Sequence, residues 1–183
     1  MKKSKKNGRD IYLELMDITS RDPYFLQVEP VIDNKMRKIC SRAYPNHPKG
    51  CPNFGKKPGC PPTLPRIDKL ISMGNPMQKY VIFNRFHFKG HCDYMRARHP
   101  EWSQRQVECC LYWQGKARKM LREKISAFLW KHPHYDIVTC PEGAGVNLTE
   151  TMKKVGIILE WPPVHYTYQI VIAGIPKGEF HYE

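Results

Sequence analysis

Apolar residues recur along this chain in two rhythms, one helical and one alternating, and together they mark out its elements. Asp10 to Ile18 fits both: Ile11, Leu15 and Ile18 share a helical face, while Ile11, Leu13 and Leu15 alternate as in a strand. Tyr24 to Val31 reads as a strand. Asp33-Asn34 has turn chemistry, and Met36 to Cys40 reads as the short antiparallel return, giving an N-terminal β-hairpin that ends at Cys40. Ile67, Leu70 and Ile71 mark a short helix that stops at Gly74-Asn75-Pro76. Tyr80-Val81-Ile82-Phe83 begins a buried strand that continues to about Phe88.

The longest helical pattern comes after His99-Pro100. Ser103 and Gln106 form a capping box, and Val107, Cys110, Leu111, Met120, Leu121, Ile125, Phe128 and Leu129 trace the buried stripe as far as His132-Pro133. Ile137 to Cys140 is a short strand and Pro141 to Gly145 a turn. Asn147 as N-cap, with Glu150 three residues on, opens a helix that reaches Val155-Gly156, and Tyr166 to Ala173 is a last strand. Strands alternating with helices predict an α/β fold: a mixed sheet with packed helices, an N-terminal β-hairpin and one long central helix. Residues 1–8 read as a basic flexible tail, and residues 9–183 as a single domain.

Both rhythms fail over residues 44–65. The segment from Cys51-Pro52-Asn53-Phe54-Gly55-Lys56 to Cys60-Pro61-Pro62 is rich in proline, which lacks an N–H donor, and glycine, which favours turns, so neither a helix nor a central strand fits it. Loops of this length inside compact domains are functional or disordered. With Cys40 it presents three thiols in the spacing Cys40-x10-Cys51-x8-Cys60. Thiolates bind iron, zinc and Cu(I) because sulfur is polarisable. Structural zinc favours two close pairs such as C-x2-C, and the chain contains none. Three widely spaced cysteines suit the separate corners of a [4Fe-4S] cluster, with one iron left open. Cys40, Cys51 and Cys60 are therefore the candidate metal ligands and cofactor-binding residues. Zinc is the alternative cofactor and requires a fourth ligand, Cys140 or His47. Cys140 stands ahead of Cys92 and His47 as a further ligand. Cys110 reads as core, Cys92 as a surface-loop thiol, and Gly143-Ala144-Gly145 as a tight strand-to-helix turn carrying the Glu142 carboxyl.

Two segments carry a resemblance. Cys51-Pro-Asn-Phe-Gly-Lys with Cys60-Pro-Pro, and Pro141-Glu-Gly-Ala-Gly-Val-Asn147 with Thr151 and Gly156, resemble the signatures of the metal-binding DUF2284 family. The order of elements between them, from roughly residue 10 to 160, is similar as well. The resemblance implies a metal or iron–sulfur protein, with Cys40, Cys51 and Cys60 matching the family's first cysteine group. The family's second cysteine-rich group has no counterpart, since residues 131–142 hold only Cys140, and an insertion with Pro45, Asn46, His47 and Pro48 separates Cys40 from Cys51. The resemblance implies a cofactor class rather than a reaction; the missing fourth cysteine and the basic charge add the expectation of redox or sulfur chemistry on a small or nucleotide-like substrate.

Charge adds a second function class. Lysine and arginine number 30 against 17 acids, a net +13, so the surface suits a nucleic acid or another polyanion. Tyr112, Trp113 and Lys116, and again Trp130 and Lys131, interleave aromatic and basic residues in the manner of single-strand binders. The alternative function is therefore a zinc-stabilised nucleic-acid-binding module. Met1 to Lys6 resembles the positive start of a signal peptide, but Asp10, Glu14 and Asp17 interrupt the apolar residues after it, and no uncharged apolar run reaches membrane-spanning length. The expected location is cytoplasmic, with no membrane partner. In a reducing compartment seven cysteines, an odd number, read as ligands before disulfides.

Overall fold

The computed structural model describes residues 23–43, 48–57 and 59–178; the expectations for the basic tail, for Asp10 to Ile18 and for His47 lie outside the described residues. The fold is mixed α/β, as the pattern predicts. Four strands, β1 (Phe25–Gln27), β2 (Lys79–His87), β3 (Asp136–Val138) and β4 (Tyr166–Gly174), form one sheet in the order β1-β2-β4-β3. Every pairing is antiparallel, so the sheet is not the mixed one that the alternation of strands and helices suggested. Its spine is the β2–β4 pair, in register over all nine positions from Lys79 opposite Gly174 to His87 opposite Tyr166.

Period-two alternation along the spine sends side chains to two cores. Val81, Phe83 and Ile172 join Val28, Leu64, Ile67, Ile71, Val146 and Met152 on one face. Ile82, Val171 and Ala173 meet Leu121 and Phe128 on the other, delivered by the long central helix α4 (Gln114–Lys131). The first face thus packs against α1 (Ile67–Leu70), α5 (Leu148–Lys154) and the cysteine-bearing loops. The caps read from the sequence hold. The Ser103–Gln106 capping box opens the short helix α3 (Gln104–Val107), and the Asn147 side chain accepts from the Glu150 N–H at 3.1 Å.

Three expectations are corrected. Met36 to Cys40 is not a strand: Asn34–Ser41 forms a 3₁₀ helix, capped by the Asp33 side chain on the Lys35 N–H, and the partner of β1 is β2. The helical stripe from Ser103 is interrupted. Between α3 and α4 the chain makes a 3₁₀ turn over Cys110–Tyr112 that swings Trp113 inward. Its ring stacks on Phe86 at 5.3 Å and its indole N–H reaches the Glu108 carbonyl at 3.2 Å. That anchoring leaves Cys110 and Leu111 exposed, although periodicity placed both on the buried face. Finally, Lys89 to Arg98 belongs to a helix, α2 (Phe88–Arg98), and Cys92 on it is buried with Phe86, Phe88 and Met95 rather than lying in a surface loop. No helix among the described residues is long and apolar enough to cross a membrane.

Two measurements test this packing. Phe128 is fully buried among Phe25, Tyr80, His132 and Tyr135. Phe128→Ala is expected to lower unfolding free energy by about 3–5 kcal/mol in urea titration, because the sheet and helix α4 cannot both collapse into the space. The Glu160 carboxylate accepts from the Val164 and His165 N–H groups at 2.7 and 2.6 Å, and these bonds hold its pKa down to about 2. A depressed carboxyl stabilises the fold above its unfolded pKa and loses that contribution as pH falls through its folded value. Stability should therefore drop between about pH 4.5 and 2, and Glu160→Gln should flatten that part of the urea-midpoint profile.

Candidate metal centre

Three chain segments converge below the first core. The 3₁₀ helix brings Arg37 and Cys40, one turn apart and so on one face. The Pro/Gly loop brings Cys51 and Cys60. The turn after β3 brings Cys140 and Glu142.

Backbone bonds fix the first two thiols together. The Cys51 N–H donates to the Cys40 carbonyl at 2.8 Å. Gly50 makes this contact possible: its φ is +80°, and a Cβ there would lie 2.7 Å from the Cys40 carbonyl oxygen. The loop then closes on itself, with the Gly55 N–H on the Pro61 carbonyl at 2.8 Å and the Leu64 N–H on the Cys60 carbonyl at 3.0 Å. The expected loop is thus a chain of hydrogen-bonded turns.

The third segment is tied in twice. Residues 31–33 run antiparallel to 145–147: Ile32 bridges Val146, the Asp33 N–H reaches the Gly145 carbonyl and the Asn147 N–H reaches the Val31 carbonyl, both at 2.8 Å. Arg37 makes the second tie. Its guanidinium donates to the carbonyls of Gly143 and Leu64, each at 2.9 Å, and of Pro62 at 3.3 Å. One side chain thereby clamps the Cys60-Pro-Pro loop to the turn behind Cys140. Sequence reasoning missed Arg37, and the signal was its place three residues before Cys40. Gly143 lies against the Cys140 thiol: a Cβ on it would come within 2.7 Å of Sγ and 3.0 Å of Pro61 Cδ.

The thiols feel one another. Burial pushes the Cys40 thiol above its ordinary value, and the Cys51, Cys60 and Glu142 groups add to the shift. Cys140 is pushed up to about 11, first by burial, with Glu142, Cys40 and Cys60 contributing and a bond from the Gly143 N–H opposing. Burial also raises the Glu142 carboxyl. Cys40 thus feels Cys51, Cys60 and Glu142, and Cys140 feels Glu142, Cys40 and Cys60. Cys92, weighed as a further ligand, sits in the separate core around Phe86 and Trp113.

The donor set is soft, and Cys140 adds a fourth sulfur to the three expected. Among the described residues, no three His, Cys, Asp or Glu side chains converge closely enough to grip one metal ion. Gripping zinc requires sulfurs about 2.3 Å from a common point. No protein-family model, curated protein or solved structure matches this chain.

Arg37→Ala removes the donor to three carbonyls. It is expected to cost about 2 kcal/mol of stability, since bonds from a charged donor exceed neutral ones. It should also speed alkylation of Cys140 by iodoacetamide in metal-free protein, followed by peptide mass spectrometry. An unchanged rate would show that the guanidinium does not close the turn over this thiol.

Proposed function

We propose that this protein binds a single [4Fe-4S] cluster through Cys40, Cys51 and Cys60, with Cys140 and Glu142 beside the remaining iron. The observation that supports the reading is that the Cys51-to-Cys40 backbone bond and the Arg37 clamp hold the segments bearing Cys40, Cys51, Cys60 and Cys140 together. The all-sulfur donor set supports iron or another soft metal over a hard cation. The wide spacing of Cys40, Cys51 and Cys60 along the chain suits a polynuclear centre, whose irons lie at separate corners, better than a lone zinc. The resemblance to the DUF2284 family points to the same cofactor class.

Such a cluster supplies a one-electron couple and, at an iron lacking a protein thiolate, a Lewis-acid position. The chain's own residues define what can happen beside it. Glu142 is partly buried and its carboxyl is raised, so it can hold a proton next to the thiols and release it as local charge changes. Cys140 would complete the ligand set or yield to an incoming ligand.

Anaerobic purification followed by iron, zinc and acid-labile sulfide analysis tests the reading. The expected result is about four irons and four sulfides per chain, lost in Cys40→Ser, Cys51→Ser and Cys60→Ser and reduced less in Cys140→Ser. Colourless protein with stoichiometric zinc and no sulfide would overturn the cluster and favour the zinc-stabilised nucleic-acid module. Full iron and sulfide content in Cys51→Ser and Cys60→Ser would remove those residues from the ligand set.

A further inference from the structure

A groove of about 400 Å³ runs between helix α4 and the edge of β4, within the range of small-molecule sites. It exists because β3 is short. β3 pairs with Ile172, Ala173 and Gly174 only, so among the described residues the stretch of β4 from Tyr166 to Val171 has no strand on that side. On the helix wall Gln114, Arg118 and Arg122 succeed one another at intervals of four, one per turn along a single face. Trp161, in the segment that precedes β4, also lines the groove and is 71% exposed. Glu142, at the metal centre, lines the groove as well.

The charges in this groove are unbalanced. Arg118 and Arg122 have no ion-pair or hydrogen-bond partner among the described residues. Two carboxyl groups line the groove, and neither neutralises them. Glu160 spends its oxygens on the N–H groups of Val164 and His165 and on the His165 ring. Glu142 forms no ion pair with either arginine among the described residues. Lys119, the neighbouring cation on α4, is paired with Glu123 at 4.0 Å. Two guanidinium groups one turn apart, unfilled, recognise phosphate oxygens through forked donors. An exposed indole lining the same cleft offers a stacking surface for a planar base.

We propose that this groove is a nucleotide-binding site, with phosphates on Arg118 and Arg122 and the base against the Trp161 ring. The assignment goes beyond the cluster reading and does not depend on it. Its position beside Glu142 would bring a bound nucleotide to the edge of the metal centre.

The test is calorimetric titration of the full chain with ADP, with inorganic pyrophosphate and with a short oligothymidylate, on a preparation whose iron and sulfide are measured separately. ADP is expected to bind with Kd below about 1 mM. Arg118→Gln/Arg122→Gln should weaken ADP and pyrophosphate alike, by about tenfold or more. Both arginines are exposed, so the fold should persist, and circular dichroism checks this. Trp161→Ala should weaken ADP and leave pyrophosphate unchanged, and it probes the base contact independently. Absence of ADP binding to the wild-type chain would overturn the proposal, as would binding untouched by both variants. Pyrophosphate binding as tight as ADP, with Trp161→Ala silent, would overturn the base contact and leave an anion site only. An oligothymidylate that binds more tightly than ADP and displaces it would assign the groove to a nucleic-acid strand instead. Iron and sulfide present with no ADP bound refute this inference alone; ADP bound without iron or sulfide refutes the cluster alone.

Discussion

One guanidinium joins the segments on which the thiol group depends. Arg37 stands on the same short 3₁₀ helix as Cys40 and reaches carbonyls on both sides of it, Leu64 and Pro62 beyond Cys60 and Gly143 behind Cys140. These carbonyls belong to irregular backbone, where no ladder would otherwise use them. Buried carbonyls without partners are costly, and a planar donor with five N–H groups can satisfy several at once. The same bonds that satisfy the loops hold the segments bearing Cys40, Cys60 and Cys140 together. Shape and charge therefore share a cause: the clamp orders the loops, and the ordering crowds the acids.

The sheet supplies the platform for that clamp. β2 and β4 pair over nine residues and present Val81, Phe83 and Ile172 to the core that Leu64, Ile67 and Val146 complete. Leu64 and Ile67 come directly after the cysteine loop, and Val146 directly after the Glu142–Gly145 turn. Each thiol-bearing loop is thus pinned within a few residues by an apolar side chain under the sheet. The Ile67 N–H bond to the Ala144 carbonyl at 2.9 Å then links the two loops directly. Hydrophobic burial fixes where the loops start and end, and the polar bonds fix how they fold between.

Much of this was legible in the sequence. The two spine strands, the Ser103 and Asn147 caps and the non-helical character of the Cys51–Cys60 loop come from local rules that tertiary contacts did not override. The misses share a physical origin. Met36 to Cys40 could alternate as a strand or turn as a helix, and Asp33 as a cap decided it for the 3₁₀ helix. The stripe through Cys110 and Leu111 has no break in its periodicity, but Trp113 gains more by stacking on Phe86 than an unbroken helix would allow. Arg37 left only a weak trace, since an arginine in a polar stretch looks solvated until the carbonyls it meets, up to 106 positions away, are known.

Burial and the neighbouring acids set the direction in which the proposed metal centre would work. Without a cation, burial raises the cost of ionising Cys40, Cys140 and Glu142, and neighbouring acids add to it for the two thiols, so protonation is favoured relative to an exposed group. A bound cationic centre reverses that relation, because every thiolate that coordinates is then stabilised by the charge it faces. Binding of such a centre would release the protons that burial retained, so its affinity would rise with pH. The raised thiols also stabilise the metal-free fold below the pKa of an unfolded cysteine and lose that contribution as pH climbs through their folded values. Alkaline conditions thus weaken the empty protein while favouring the loaded one, and the gap between the two widens with pH. A cluster of thiols that served packing alone would show the first half of this behaviour and not the second.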